Sequence, residues 1–246
     1  MISKSKLKDI RSLHLPKFRQ MYDKFIAEGE KVAIELLNNR KYNVEDILIT
    51  ASAVEKYQKI FDSNQVSIIS DKEMASVSAL KSPSDILLVL QRKEDSLDYL
   101  SKQDTCAIYL DGVQDPGNVG TIIRVADWFG IDGVIRSEDT ADFFQPKVVQ
   151  ASMGSMVNVQ LSTSRLAQIM PYNKPVYGTY MNGQSLSTVK ISKNAIIVMG
   201  SEGRGITKEN EPFIHHHITI NGHPSKVAES LNVSVAAGII CGFWKG

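Results

Sequence analysis

From Cys106 onward the chain alternates short apolar runs with helical patterns, and this alternation restricts its fold more than any other feature. CAIYLDGV reads as a buried strand, GTIIRVADWFG as a helix, DGVIRS as a strand and PKVVQASMGSM as a helix. VNVQL, PVYGTYM and AIIVMG follow as strands, with a helix around LAQIM. NEPFIHHH then reads as a helix, ITI as a short strand, and the chain closes on an apolar helix. Strands separated by helices pair in parallel, so an α/β domain with a largely parallel sheet is expected over residues 105–246. Upstream, LKDIRSLHL, EKVAIELLNNR, AVEKYQKIF and KEMASVSAL read as helices, and DILIT, VSIIS and DILLVLQ as strands. They form a small α/β unit over residues 1–91. The polar stretch RKEDSLDYLSKQD, 92–104, reads as a linker.

With 43% hydrophobic residues in 246, two modest cores can be filled. No apolar run reaches about 18 residues, so no membrane-spanning helix is expected. MISKSKLKDI has no apolar segment behind its charges, which argues against a secretory signal. Cys106 and Cys241 lie in apolar contexts and read as reduced core thiols of a cytoplasmic protein, with no metal site. Residues 1–41 hold ten Lys/Arg against five Asp/Glu, on a body that is otherwise slightly acidic. Such a basic arm suits a phosphate-rich partner, and it equally suits a solvated helical face.

Substrate sites in open α/β sheets lie beyond the carboxyl ends of the strands, so the loops there carry the candidates. In LDGVQDPGNVGTIIRVADWFG a turn at Asp115-Pro116-Gly117 precedes a helix starting near Val119, which Asn118 is placed to cap. Arg124 sits between Ile123 and Val125 on that helix, either snorkelling from the core or aimed at an anion. The segment also resembles a dinucleotide-binding turn, with Glu138 as the ribose acid, but GNVG lacks the G-x-G-x-x-G spacing. The second loop, VMGSEGRGI, follows a strand and allows close backbone approach to a ligand, with Glu202 at its centre. The third is AESLNVSVAAGIICGFW. Residues 231–244 are apolar or small on every face, which predicts a helix buried all round, and Ser230 and Asn232 are both capping types. His215-His216-His217 reads as an exposed helix end, since three adjacent imidazoles cannot face one ion. Lys147, at the start of its helix, reads as a solvated lysine or a phosphate contact.

Taken in order, DPGNVGTIIRVADWFG, MGSEGRGI and AESLNVSVAAG resemble the SpoU (TrmH) family of RNA ribose 2′-O-methyltransferases, of the SPOUT class. FFQPKVVQASMGSM is similar to the family's Pro-Lys segment, and FIAEGEKVAIELL to the small ribosomal-protein-L30-like substrate-binding domain that precedes it. The resemblance implies a parallel-sheet domain with a deep C-terminal trefoil knot. It implies S-adenosylmethionine as cofactor, contacted at Gly200, Ile220, Leu231 and Thr179. It implies catalytic and RNA-phosphate positions at Asn118, Arg124, Glu202, Ser230 and Asn232, with Asn118 orienting Arg124. It implies a homodimer whose sites draw on both subunits, and RNA as partner, ribosomal RNA favoured over transfer RNA. One departure is the segment ITINGHPSKVAESLN: Asn221 stands where the family has Pro, and the loop to Ser230 is about two residues longer. Two other classes stay open at this point: a nicotinamide-dependent oxidoreductase, and an RNA-binding protein without catalysis.

Overall fold

The computed structural model describes residues 2–58 and 66–246 and divides into two compact units. One holds the residues up to Lys93 with Asp142–Val157, the other Glu94–Ala141 with Asn158–Gly246. Residues 142–157 lie within the span expected for the second domain, yet they group with the first unit. Leu97–Ser101, within the expected linker, form a 3-10 turn whose Leu100 is fully buried in the core of the second unit.

In the first unit, α1 (Lys4–Ser12), α2 (Pro16–Tyr22), α3 (Glu30–Asn39), α4 (Val54–Tyr57) and α5 (Asp71–Val77) surround a four-stranded sheet. Its strands are β1 (Lys24–Glu28), β2 (Val44–Thr50), β3 (Val66–Ile69) and β4 (Ile86–Gln91), in the order β1-β4-β2-β3. The strand β1 is absent from the sequence reading, because KFIAE is too short to show a period. It is fixed by antiparallel pairing with the buried run of β4. The helix expected over AVEKYQKIF is observed as α4, and its last three residues lie outside the described ones. Helix α5 starts on a capping box in which Ser70 and Glu73 satisfy each other's backbone N–H. Ile10, Leu13, Ile26, Leu48, Met74 and Leu87 are among the residues of the core. Arg19 is fully buried, with its guanidinium on the Asp142 carboxylate at 2.9 Å and on the Leu13 and His14 carbonyls. Asp142 belongs to the segment that carries α7 (Pro146–Ser152) and the exposed Lys147.

The second unit is built on six strands in the order β10-β8-β9-β5-β6-β7, all paired in parallel. They are β5 (Ala107–Asp111), β6 (Gly133–Arg136), β7 (Gln160–Thr163), β8 (Val176–Ser185), β9 (Ile196–Gly200) and β10 (His216–Thr219). The central strand β5 is buried along its whole length and β9 up to Gly200, the continuous apolar pattern of a sheet covered on both faces. From β5 the chain moves outward through β6 to β7, then crosses back to β8 and β9. The order therefore reverses between β5 and β9, the position at which open α/β sheets hold their ligands.

Two helices complete this unit, α6 (Pro116–Trp128) and α8 (Val233–Lys245), which pack on one another. Two local expectations are corrected here. Helix α6 starts at Pro116, three residues before Val119, and its cap is Asp115, whose Oδ1 accepts from the Asn118 N–H at 2.9 Å. Proline has no N–H to leave unpaired and its φ suits a first helical residue. Nor is α8 buried all round: Val235 and Phe243 are about half exposed or more, and Trp128 of α6 is 83% exposed. The run expected as the helix NEPFIHHH makes only a 3-10 turn, Glu211–Phe213, and then enters β10. His215 Nδ1 accepts from the Val176 N–H, while His216 and His217 stack on Tyr177 and Tyr180. The helix expected around LAQIM is likewise only a pair of 3-10 turns, Leu166–Gln168 and Met170–Tyr172.

Candidate active site

Beside β9, on the side of β8 and β10, lies a cavity of about 890 Å³, within the second unit. Its walls follow from three local features. The first is the loop after β9. Ser201 and Gly205 form an isolated antiparallel bridge, folding Gly203 and Arg204 out as a tight turn. Gly200 is required there: a Cβ would overlap the backbone of Gly205 and Ile206.

The second is a large bulge in β8. Gly178 pairs with His217 and Gln184 with Ile218, so residues 179–183 are left out of the ladder. Thr179, Tyr180, Met181 and Asn182 thereby become cavity wall. Sequence reasoning found only Thr179 of these, because nothing in PVYGTYMNGQS marks a bulge except Gly183, whose close approach to the His217 backbone leaves no room for a side chain. The third is the chain from Ile220 to Leu231, exposed after Ile220, which closes the remaining side. Thr179, Gly200, Ile220 and Leu231, the four expected cofactor contacts, all line this one cavity.

At its lip three side chains from distant parts of the chain meet. Asn118 Nδ2 donates to Glu202 Oε1 at 3.0 Å, and Asn232 Nδ2 donates to Glu202 Oε1 at 2.9 Å and to Asn118 Oδ1 at 3.0 Å. The Val233 N–H also points at Glu202 Oε1, at 3.4 Å. Asn232 works at both ends. Its Oδ1 accepts from the Ser234 and Val235 N–H groups and so caps α8, while its amide faces the cluster. This resolves why Asn follows Ser230 so closely: the helix has not begun at Asn232, and Ser230 is left uncommitted, lining the cavity.

Arg124 stands apart from the cluster. It is exposed, and among the described residues it has no hydrogen bond or ion pair. Asn118 is bonded to Glu202 and Asn232 and does not orient it, which corrects the expected pairing. The reason is helical geometry: six residues along α6 is about 9 Å of rise and about 120° of rotation. Arg124 instead shares a face with Trp128, one turn on.

A further charge pair escaped the sequence reading. Arg204 binds Asp139 at 2.9 Å, above Gly112, whose φ of +70° and lack of Cβ leave space for both side chains. The Ser137 hydroxyl, then Arg204, hold the Asp139 carboxyl below its ordinary range. Glu138, the candidate ribose acid, does not line the cavity, and the glycines of GNVG lie inside α6.

The chain has relatives in sequence and in structure. The pattern of the SpoU rRNA Methylase family matches residues 105–242, and that of an MRM3-like substrate binding domain matches residues 4–88. The 23S rRNA (guanosine(2553)-2'-O)-methyltransferase RlmP of Bacillus subtilis is 30% identical over 96% of this chain and 94% of its own. Among solved structures, a TrmH-family chain from Porphyromonas gingivalis superimposes with a TM-score of 0.86 and 36% identity, covering 100% of this chain and 98% of that one. An AdoMet-bound rRNA methyltransferase from Sinorhizobium meliloti superimposes with a TM-score of 0.87 and 26% identity, covering 99% and 95%.

Proposed function

The chain belongs to the SpoU rRNA methylase family, and from that premise we propose that it methylates a ribose 2′-hydroxyl of ribosomal RNA, with S-adenosylmethionine as methyl donor. It is an RNA ribose methyltransferase of SPOUT architecture. The observation that carries the site assignment is the bonded cluster of Asn118, Glu202 and Asn232 at the lip of a cavity lined by Thr179, Gly200, Ile220 and Leu231.

The cavity suits the cofactor. Its volume lies in the usual range for a small-molecule site, and apolar side chains such as Met199, Ile218 and Ile240 line it beside the glycine-rich turn. S-adenosylmethionine supplies a methyl group made electrophilic by its sulfonium. The residues of this chain then have to hold a ribose hydroxyl in line and stabilise the charge it develops. Arg124 is the group for that work. A guanidinium holds its proton too tightly to serve as a base, so its role is to clamp a phosphate and stabilise the developing alkoxide. Proton loss goes to phosphate or water. Glu202, held by two amides, fixes the turn after β9. Ser230 contacts an RNA phosphate, and Asn232 and Asn118 hold the lip of the cavity.

Arg124 lies on the exposed face of α6 with Trp128, and Val235 and Phe243 are exposed apolar groups of α8, the helix packed on α6. These support a homodimer in which Arg124 serves the partner's cavity, and the trefoil knot that the family implies accounts for the β9 and β10 loops meeting α8 at one site. The first unit, with residues 142–157 packed in it, serves as the RNA-binding domain and the second, from Glu94, as the methyltransferase domain, in the cytoplasm. No described helix is long and apolar enough to cross a membrane. The test is methyl transfer from labelled S-adenosylmethionine to ribosomal RNA from a strain lacking this protein, with the modified nucleotide mapped. Incorporation into transfer RNA alone, or into neither, would overturn the reading.

A further inference from the structure

Five side chains lining the cavity carry or can carry charge: Glu202, Arg204, His223, Lys226 and Glu229. Three have protein partners. Glu202 accepts from Asn118 and Asn232, Arg204 is paired with Asp139, and the His223 Nδ1 is bonded to the Ser225 hydroxyl. Lys226 and Glu229 remain. Among the described residues neither side chain has a hydrogen bond or an ion pair, not even with the other. Both belong to the exposed segment from Asn221 to Ser230. The stem of Lys226 is laid across Gly222, where a Cβ would overlap it.

An uncommitted cation and an uncommitted anion three residues apart, on one wall of one cavity, fit a ligand that presents both signs together. The amino-acid end of S-adenosylmethionine is such a group, an α-carboxylate and an α-ammonium on one carbon. An RNA phosphate is a poorer match, because Glu229 would repel what Lys226 attracts. We infer that Lys226 and Glu229 form the subsite for the amino-acid end of the cofactor, with the Lys226 ammonium on its α-carboxylate and the Glu229 carboxylate on its α-ammonium. This inference rests on the reading of the cavity as the S-adenosylmethionine site. It gives a function to this exposed loop: where other walls offer mainly backbone and apolar surface, this one reads the charged end of the ligand. It also gives a role to Glu229, which precedes the Ser-Leu-Asn motif and has no structural partner among the described residues.

The experiment is calorimetry on the full chain with two probes, S-adenosylmethionine and 5′-deoxy-5′-methylthioadenosine, which keeps the nucleoside and thioether but lacks the amino-acid end. Lys226→Gln and Glu229→Gln are each expected to weaken S-adenosylmethionine about fivefold, the scale of one solvent-facing charge-assisted contact, and to leave methylthioadenosine unchanged. Equal weakening of both probes would mean the loop merely changed shape, and would overturn the inference. So would unchanged affinity for both, or a rise confined to the KM for RNA. If the unmodified chain binds neither probe, the reading of the cavity itself fails with it.

Discussion

The side-chain amide of Asn232 donates to Glu202 Oε1 at 2.9 Å, while the carbonyl oxygen of the same side chain caps helix α8. One residue thus fixes the start of the C-terminal helix and ties it to the turn after β9. The third member, Asn118, lies 114 residues before Asn232 in the chain and 84 before Glu202. The site is therefore held by hydrogen bonds between helix ends and a strand-end loop, on the rigid ends of the sheet.

The two ends of Asn232 can be separated. Asn232→Asp keeps the capping acceptor but sets a carboxylate against Glu202. Asn232→Ala removes cap and donor together and is expected to cost about 1 kcal/mol of stability from the cap alone. Methyl transfer should fall at least about tenfold in Asn232→Asp with helix content retained, read by steady-state kinetics and circular dichroism. Turnover equal to the unmodified protein in that variant would remove the donor end from the site.

Among the described residues Arg124 has no structural partner to lose. Arg124→Ala is expected to shift stability by less than about 0.5 kcal/mol, and to leave S-adenosylmethionine affinity nearly unchanged. Methyl transfer should fall by about a hundredfold or more, the scale for removing one stabiliser of developing charge. Single-turnover kinetics beside a denaturation curve measures both, and unchanged turnover would sink the assignment.

The glycines after β9 are not equivalent. At Gly200 a Cβ would overlap the Gly205 and Ile206 backbone, whereas at Gly203 it would meet nothing within 4 Å. Gly200→Ala should cost about 1–3 kcal/mol by overpacking and abolish cofactor binding. Gly203→Ala should bind like the parent chain. Calorimetry on the pair decides, and equal behaviour of the two variants would contradict the turn geometry.

A site shared between subunits has its own signature. Arg124→Ala and Gly200→Ala chains, each inactive alone, should regain activity when unfolded and refolded together, because a mixed dimer holds one intact cavity facing one intact arginine. No recovery would put Arg124 in its own chain's site. Phe243→Glu should give a monomer by sedimentation, since it places a charge in the exposed apolar face of α8.

The Asp139 carboxyl is held below its ordinary range, by the Ser137 hydroxyl first and Arg204 second. A depressed acid stabilises the folded state above its unfolded pKa, about 4, and that contribution is lost as pH falls through the lower folded value. The Asp139–Arg204 pair should therefore persist unchanged from neutral pH to about pH 4 and open only below it. A carbon-detected titration of the Asp139 carboxyl would show the midpoint, and a midpoint above the ordinary range would contradict the pair.

Much of this was legible in the chain itself. Residues 107–111 and 196–200 read as buried strands because their apolar runs are continuous, and 233–245 as a helix for its composition. The start of α6 was not read: Asp115-Pro116-Gly117 was expected as a turn with Asn118 as the cap, whereas Asp115 is the N-cap and Pro116 the first helical residue. The β8 bulge and the strand β1 were not legible either, since each exists only through its partner strand. The exposure of Val235 and Phe243 depends likewise on what α8 finds beside it.

The sequence by itself determined the strands of the six-stranded sheet and their order in the chain, and which loops carry polar and glycine residues, because propensity and periodicity act over a few neighbouring residues. Only the tertiary structure decided that Asn118, Glu202 and Asn232 meet, that Arg124 faces away from them, and that Lys226 and Glu229 share a cavity wall. Those outcomes depend on β5 lying beside β9 and on α8 packing against α6. Such pairings are chosen by burial over the whole sheet, across separations no local pattern records.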